Sequence, residues 1–309
     1  MSRTFKNAPV HIRPAQREGV GFMTLRGSGC IAYDVGLGKT MTAILTVGQA
    51  LEMGRCRRPL IVVPNGTYEN WLNETRGDVR DGKLVLTGLL PQYPVNDLFN
   101  LSDKYLDAIT RADGSIQPVD EFTITVMSYD GFERLAYREE TGARIADKLF
   151  SILNQGLTGR DNAKLKEKIK DLLGKGSSGG RVAVEDLGFD YLASAMGLRT
   201  FIIASWLQEN NAAGNVALLT ATPFTNSPLE IYSMLALIAY DELVAAGVIS
   251  LKSFFDTYIN TSNEIVINSR LEAERRDVVL GFNNLASLQQ LIRRFIIHKT
   301  GEEDNIVRP

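Results

Sequence analysis

Three observations predict an α/β fold: a parallel sheet flanked by helices, with a mostly helical C-terminal extension. A short apolar run at residues 30–33 ends in a glycine-bearing turn, and a helical pattern begins at Met41. A second continuous apolar run, at residues 60–64, has the composition of a strand buried on both faces. Strand, helix and strand in this order make a βαβ unit, whose repetition implies a parallel sheet with helices on both sides.

The 309 residues allow one large α/β domain with an appendage, or two small domains. Apolar residues make up 44%, enough for a substantial core. Net charge is −2 and the isoelectric point is near 5.9, so any nucleic-acid contact must come from local basic patches. Two cysteines, Cys30 and Cys56, give no disulfide framework, and Cys30 reads as a small buried hydrophobe opening a strand. The first residues lack the apolar centre of a signal peptide and no apolar run reaches membrane-spanning length. A soluble, cytoplasmic protein with no membrane partner is expected.

In chain order, Pro14 suits the first turn of a helix that carries Gln16 and turns Val20, Phe22 and Met23 to a core. A glutamine amide offers the acceptor and donors that match an adenine edge. The central stretch reads Tyr33-Asp34-Val35-Gly36-Leu37-Gly38-Lys39-Thr40. Small residues let backbone N–H groups wrap a phosphate, and a helix N-terminus behind them favours the anion. Lys39 would reach the outer phosphates of ATP, and the Thr40 hydroxyl would ligate Mg²⁺. The strict pattern has a first glycine where this chain has Tyr33. The expected nucleotide site is Gln16, Val35, Gly36, Leu37, Gly38, Lys39, Thr40 and Met41, joined by Arg13 through the resemblance described below, with Lys39 and Thr40 carrying the chemistry.

Apolar spacing at Met41, Ile44, Leu45, Gly48 and Leu51 is helical, and Asn65-Gly66-Thr67 opens the helix that holds Trp71. Residues 84–86 and 122–127 are further strand candidates, with a weak helix near 101–109 between them. Residues 138–173 read as charged helix, 174–180 as a flexible loop, 201–209 as helix and 215–223 as a strand entering a threonine-rich turn. Residues 228–239 are amphipathic helix, and from Asp241 the chain reads as mostly helical. This divides the chain into a lobe at 1–240 and an extension and linker at 241–309.

Several of these stretches, in this order, resemble the first RecA-like lobe of superfamily-two helicases, of the Swi/Snf-like DNA translocase kind found also in phages and mobile elements. Arg13-Pro14-Ala15-Gln16 resembles the adenine-reading element, and the 33–40 stretch resembles a P-loop form that also lacks the early glycine. Pro64, Asn65 and Gly66 look like a loop that touches DNA phosphates, and Ser128 and Tyr129 like a second one. Leu219-Thr220-Ala221-Thr222-Pro223 looks like the motif that couples nucleotide to strand, so Thr220 and Thr222 join the expected DNA-facing residues. The resemblance implies ATP and Mg²⁺ as cofactors, DNA as partner, and a second RecA-like lobe that supplies an arginine finger.

The chain departs from that pattern at the acidic box, an Asp for Mg²⁺ and a Glu to orient water at the end of a buried strand. Residues 187–192 look like the lead-in, yet Ala193-Ser194-Ala195-Met196 follows with no acid. Glu185-Asp186, Asp120-Glu121 and Asp241-Glu242 are wrongly placed to substitute. A segment carrying the box is therefore expected to be missing near Leu192 and Ala193. The reading is an ATP-binding first lobe of a DNA-dependent ATPase, the chain alone binding ATP better than it hydrolyses it. A non-catalytic nucleotide-binding module that lacks the box is the alternative, and a small P-loop kinase or transport ATPase is a third, disfavoured by the Thr-Ala-Thr-Pro turn.

Overall fold

The computed structural model describes residues 11–154, 159–177, 181–194, 198–211, 214–221, 228–267 and 273–301. In chain order the elements are α1 (Pro14–Arg26), β1 (Gly29–Tyr33), α2 (Lys39–Glu52), β2 (Pro59–Val63), a 3₁₀ turn (Asn65–Thr67) and α3 (Tyr68–Arg76). A hairpin of β3 (Gly77–Arg80) and β4 (Lys83–Thr87) leads to β5 (Val95–Leu98), α4 (Asp103–Ile109), β6 (Ile124–Ser128) and α5 (Tyr129–Glu133). Then come α6 (Glu139–Leu153), α7 (Arg160–Ser177), α8 (Val184–Leu187), β7 (Tyr191–Ser194), α9 (Leu198–Asn210) and β8 (Val216–Thr220). The chain continues through α10 (Pro228–Ile238), α11 (Tyr240–Ala245), α12 (Leu251–Tyr258), β9 (Ile259–Ile267), β10 (Ala273–Phe282), α13 (Leu285–Phe295) and β11 (Ile296–Lys299).

Seven strands form one sheet in the order β11-β1-β8-β7-β2-β6-β5, and every pairing in it is parallel. The strands alternate between two apolar clusters, which is what a sheet covered on both faces requires. Ile31, Tyr33, Ile61 and Val63 face a cluster built with α1, α2 and α3. Cys30, Ala32, Leu60 and Val62 face a second cluster that includes residues of α6, α9, α10 and α12. Because the strands are parallel, the loops after β1, β2 and β6 and the ends of β7 and β8 lie at the same carboxyl edge, where ligands of open α/β sheets collect.

The expected parallel α/β sheet is therefore present. Residues 84–86 do lie in a strand, but in the separate β3–β4 hairpin, with Leu84, Val85 and Leu86 exposed. The expected loop at 174–180 is helical as far as Ser177, since α7 runs on past Leu173; residues 178–180 lie outside the described residues. Past Asp241 the chain is not helical throughout, because β9 and β10 pair as a long antiparallel hairpin. The residues then return to the main sheet, where β11 pairs with β1 from Cys30↔Ile296 to Tyr33↔Lys299. Among the described residues no helix is long and apolar enough to cross a membrane.

Candidate nucleotide site at the carboxyl edge of the sheet

The turn between β1 and α2 is shaped by two glycines in the left-handed region, Gly36 at φ +90° and Gly38 at φ +79°. Side-chain-bearing residues adopt that region at a cost, so glycine is what the turn requires. Gly38 also lies against Gln16, and a Cβ there would overlap the Gln16 amide. The backbone N–H groups of the first turn of α2 lack helical partners and point out of the helix end, a ready anion site.

Lys39 donates from Nζ to the carbonyls of Tyr33 (2.7 Å) and Asp34 (3.1 Å), bending its ammonium back over the turn. Burial lowers its pKa, and the nearby Asp34 carboxylate opposes that shift. The Arg13 guanidinium donates to the Gly36 carbonyl at 3.2 Å. Gln16 is buried at 4% exposure, with Oε1 accepting from the Arg13 N–H at 2.9 Å. These groups line one cleft of about 600 Å³ with Val35, Thr40 and Met41. Eight of the nine expected nucleotide-site residues thus meet around a single opening. The ninth, Leu37, is buried in the core and its N–H donates to the Asp34 carbonyl at 3.3 Å.

Several contributors were not legible as site residues. Tyr33, in place of the early glycine, buries its ring and donates its hydroxyl to the Ala15 carbonyl at 2.6 Å, tying α1 to the turn. Gly19 leaves the room for that hydroxyl. Asp34 donates its N–H to the Lys299 carbonyl (3.0 Å) and accepts at Oδ2 from the Gly301 N–H (3.2 Å), so the chain after β11 braces the turn. Glu74, Leu86, Thr87 and Leu89 close the far wall of the cleft. The adjacency of Asp34 to the glycine turn was the available signal for that residue. The wall of α3 and the hairpin had none, because it depends on tertiary packing.

Of the expected DNA-facing residues, Pro64, Asn65 and Gly66 are exposed on the loop after β2. Asn65 Nδ2 donates to Asp130 Oδ2 at 2.6 Å and its Oδ1 accepts from the Asp130 N–H at 3.4 Å, joining the loops after β2 and β6. Ser128 departs from the expectation. It is fully buried, its hydroxyl accepts from the Gly131 N–H at 3.1 Å as the cap of α5, and it donates to the Phe99 carbonyl. That hydroxyl is engaged on both sides and does not face solvent. Tyr129 is half-buried, and burial raises its phenol. Thr220 is half-buried at the end of β8, paired with Ala32, and Thr222 lies outside the described residues.

The strand that lacks an acidic box is β7, between β8 and β2. It passes through the Leu192–Ala193 junction in unbroken register, with Leu192 opposite Leu60 and Ala193 opposite Ile61. Its described residues run from Tyr191 to Ser194 and carry no acid; Ser194 is fully buried, with its hydroxyl 3.5 Å from that of Thr200, and residues 195–197 lie outside the described residues. Each of the three displaced acidic pairs has at least one member engaged elsewhere. Glu185 accepts from Thr141, Asp186 pairs with Arg138, Glu121 with Arg57 and Arg58, and Glu242 with Arg294. Among the described residues no cluster of three or more His, Cys, Asp or Glu could hold a metal ion.

A parallel sheet flanked by helices, with a glycine turn and a lysine at its carboxyl edge, makes this a RecA-like α/β lobe. No known family profile matches the chain. Defense against restriction protein B of Escherichia phage P1 is 24% identical over 342 residues, covering 90% of this chain and 15% of that protein. The human SWI/SNF-related matrix-associated actin-dependent regulator of chromatin subfamily A containing DEAD/H box 1 is 22% identical over 301 residues, covering 96% of this chain and 23% of that protein. Among solved structures, the Sulfolobus solfataricus SWI2/SNF2 ATPase core domain superposes with a TM-score of 0.50 at 15% identity, covering 96% of this chain and 44% of that one. The chain therefore spans less than a quarter of the length of these two relatives and 44% of that solved chain. In fold the chain is similar to a SWI2/SNF2 ATPase core, and in sequence it is similar to a SWI/SNF-related protein and a phage P1 protein.

Proposed function

We propose that the chain is the ATP-binding first lobe of a DNA-dependent translocase, working inside a bacterial or phage-infected cell with a second RecA-like lobe. The observation that carries this reading is the convergence of Arg13, Gln16, the Gly36–Gly38 turn, Lys39 and Thr40 on one cleft at the carboxyl edge. The residues suit a nucleoside triphosphate. Lys39 exchanges its two carbonyl partners for the outer phosphates, and the α2 N-terminus receives phosphate oxygens. Arg13 and Gln16 stand at the α1 side of the cleft, where a base would lie. Magnesium would shield the phosphate charge, with the Thr40 hydroxyl as its ligand on the turn. The described end of β7 offers it no carboxylate, so no hydrolytic step is assigned to this lobe. Duplex DNA would lie across the loops after β2, β6 and β8, with Pro64, Asn65, Gly66, Tyr129 and Thr220 as contacts.

Lys39→Ala is expected to abolish ATP binding measured by calorimetry on the purified chain. Unchanged affinity in that variant would overturn the site. A second reading, a non-catalytic nucleotide-binding module, draws on Ser194 standing at the end of β7 where an acidic pair would be. DNA-stimulated ATP hydrolysis on adding a second lobe separates the two readings: stimulation supports the translocase, and its absence supports the module.

A further inference from the structure

The nucleotide cleft is lined on its far side by Glu74, which comes from α3 and not from the turn or α1. Its position is set by the backbone. The Leu89 N–H donates to the Glu74 carbonyl at 2.8 Å and the Leu90 N–H to the Thr75 carbonyl at 3.0 Å, locking the chain after β4 against the last turn of α3. Leu86, Thr87 and Leu89 therefore line the same cleft as Glu74.

Glu74 is the one carboxylate among the described residues that line this cleft. It is half-buried, and no hydrogen bond or ion pair within the described residues engages its carboxylate. Partial burial raises its pKa, with no charged or hydrogen-bonding group contributing. The basic groups of the cleft do not answer it, because Arg13 and Lys39 are held on backbone carbonyls. Lining an open cleft, the carboxylate is placed to accept from donors that a ligand brings.

We propose that the Glu74 carboxylate accepts the 2′- and 3′-hydroxyls of the nucleotide ribose and so selects ribonucleotides. Three features favour the ribose over the rest of the ligand. Phosphates are repelled by a carboxylate and drawn to Lys39 and the α2 N-terminus. Vicinal hydroxyls supply two donors for two carboxylate oxygens, a better match than the single outward N–H of an adenine amine. The walls beside Glu74, Leu86 and Leu89, suit the apolar face of a sugar and base. This inference rests on the cleft being the nucleotide site.

The test is calorimetric binding of ATP, 2′-deoxy-ATP and inorganic tripolyphosphate to the wild-type chain, Glu74→Ala, Glu74→Gln and Lys39→Ala. Wild type is expected to prefer ATP over 2′-deoxy-ATP by roughly tenfold, the worth of one hydrogen bond to a charged group. Glu74→Ala should lose that preference and leave tripolyphosphate binding unchanged or tighter. Should the alanine variant fail to fold, Glu74→Gln, of equal size, should show a reduced preference. An ATP preference that survives in a folded Glu74 variant, while Lys39→Ala abolishes binding, overturns the ribose role alone. ATP binding that is indifferent to Lys39→Ala overturns the nucleotide site and the ribose role with it.

Discussion

At the scale of single residues, the site is governed by what each position will tolerate. Gly38 combines a left-handed backbone with contact against Gln16, so Gly38→Ala meets two obstacles. The backbone strain is worth roughly 1–2 kcal/mol, and the overlap forces Gln16 to move. We expect Gly38→Ala to lower Tm and to abolish ATP binding. The pair Gly38→Ala with Gln16→Ala should recover part of the stability, because it removes the overlap and leaves the strain. Equal Tm values for the single and double variants would show that the contact contributes nothing. Tyr33 carries the complementary lesson. A large side chain is compatible with this glycine turn because it points into the core and not toward a phosphate.

At the scale of elements, β11 has a function its four residues do not suggest. It covers the outer edge of β1, and the chain beyond it is bonded to Asp34 within the turn. A chain ending at residue 240 would leave that edge of β1 unpaired and remove the brace, exposing a template for aggregation beside the nucleotide site. Such a truncation is expected to be insoluble, or soluble without ATP binding. A soluble, ATP-binding 1–240 fragment would show that the lobe ends where the sequence pattern suggests. The neighbouring loops behave as coupled elements too. Ser128 caps α5 and Asn65 holds Asp130, so the loops after β2 and β6 hold each other in place.

At the scale of the whole molecule, burial sets a pH dependence. Cys30 is wholly buried and its thiol is pushed from 9.0 up to about 12; Cys56 and the buried Tyr191 and Tyr232 are raised in the same direction by burial. In the unfolded chain these groups ionise first, so the unfolded state binds fewer protons and stability falls as pH rises from about 9 toward about 12. Lys39 and Lys148, lowered by burial, act oppositely, but they are fewer. Tm measured from neutral into alkaline solution should decline across that window, with both thiols inert to a thiol reagent until it does. A flat Tm through that window would contradict the burial argument.

Local pattern determined much of this protein. The βαβ order, the glycine turn, the helix at Lys39 and the buried runs at β1 and β2 follow from short-range periodicity and backbone chemistry, and those forces act between residues close in sequence. From the same pattern came Gln16, Lys39 and Thr40, while Arg13 came from the family resemblance. Tertiary structure decided the rest. The side chain of Leu37 turned into the core, Ser128 became a cap, β11 returned to brace Asp34, and Glu74 arrived at the cleft from a different helix. Each of those outcomes depends on contacts between segments far apart in the chain. Periodicity within a window carries no record of such contacts, because they arise only when the two apolar faces of the sheet are covered.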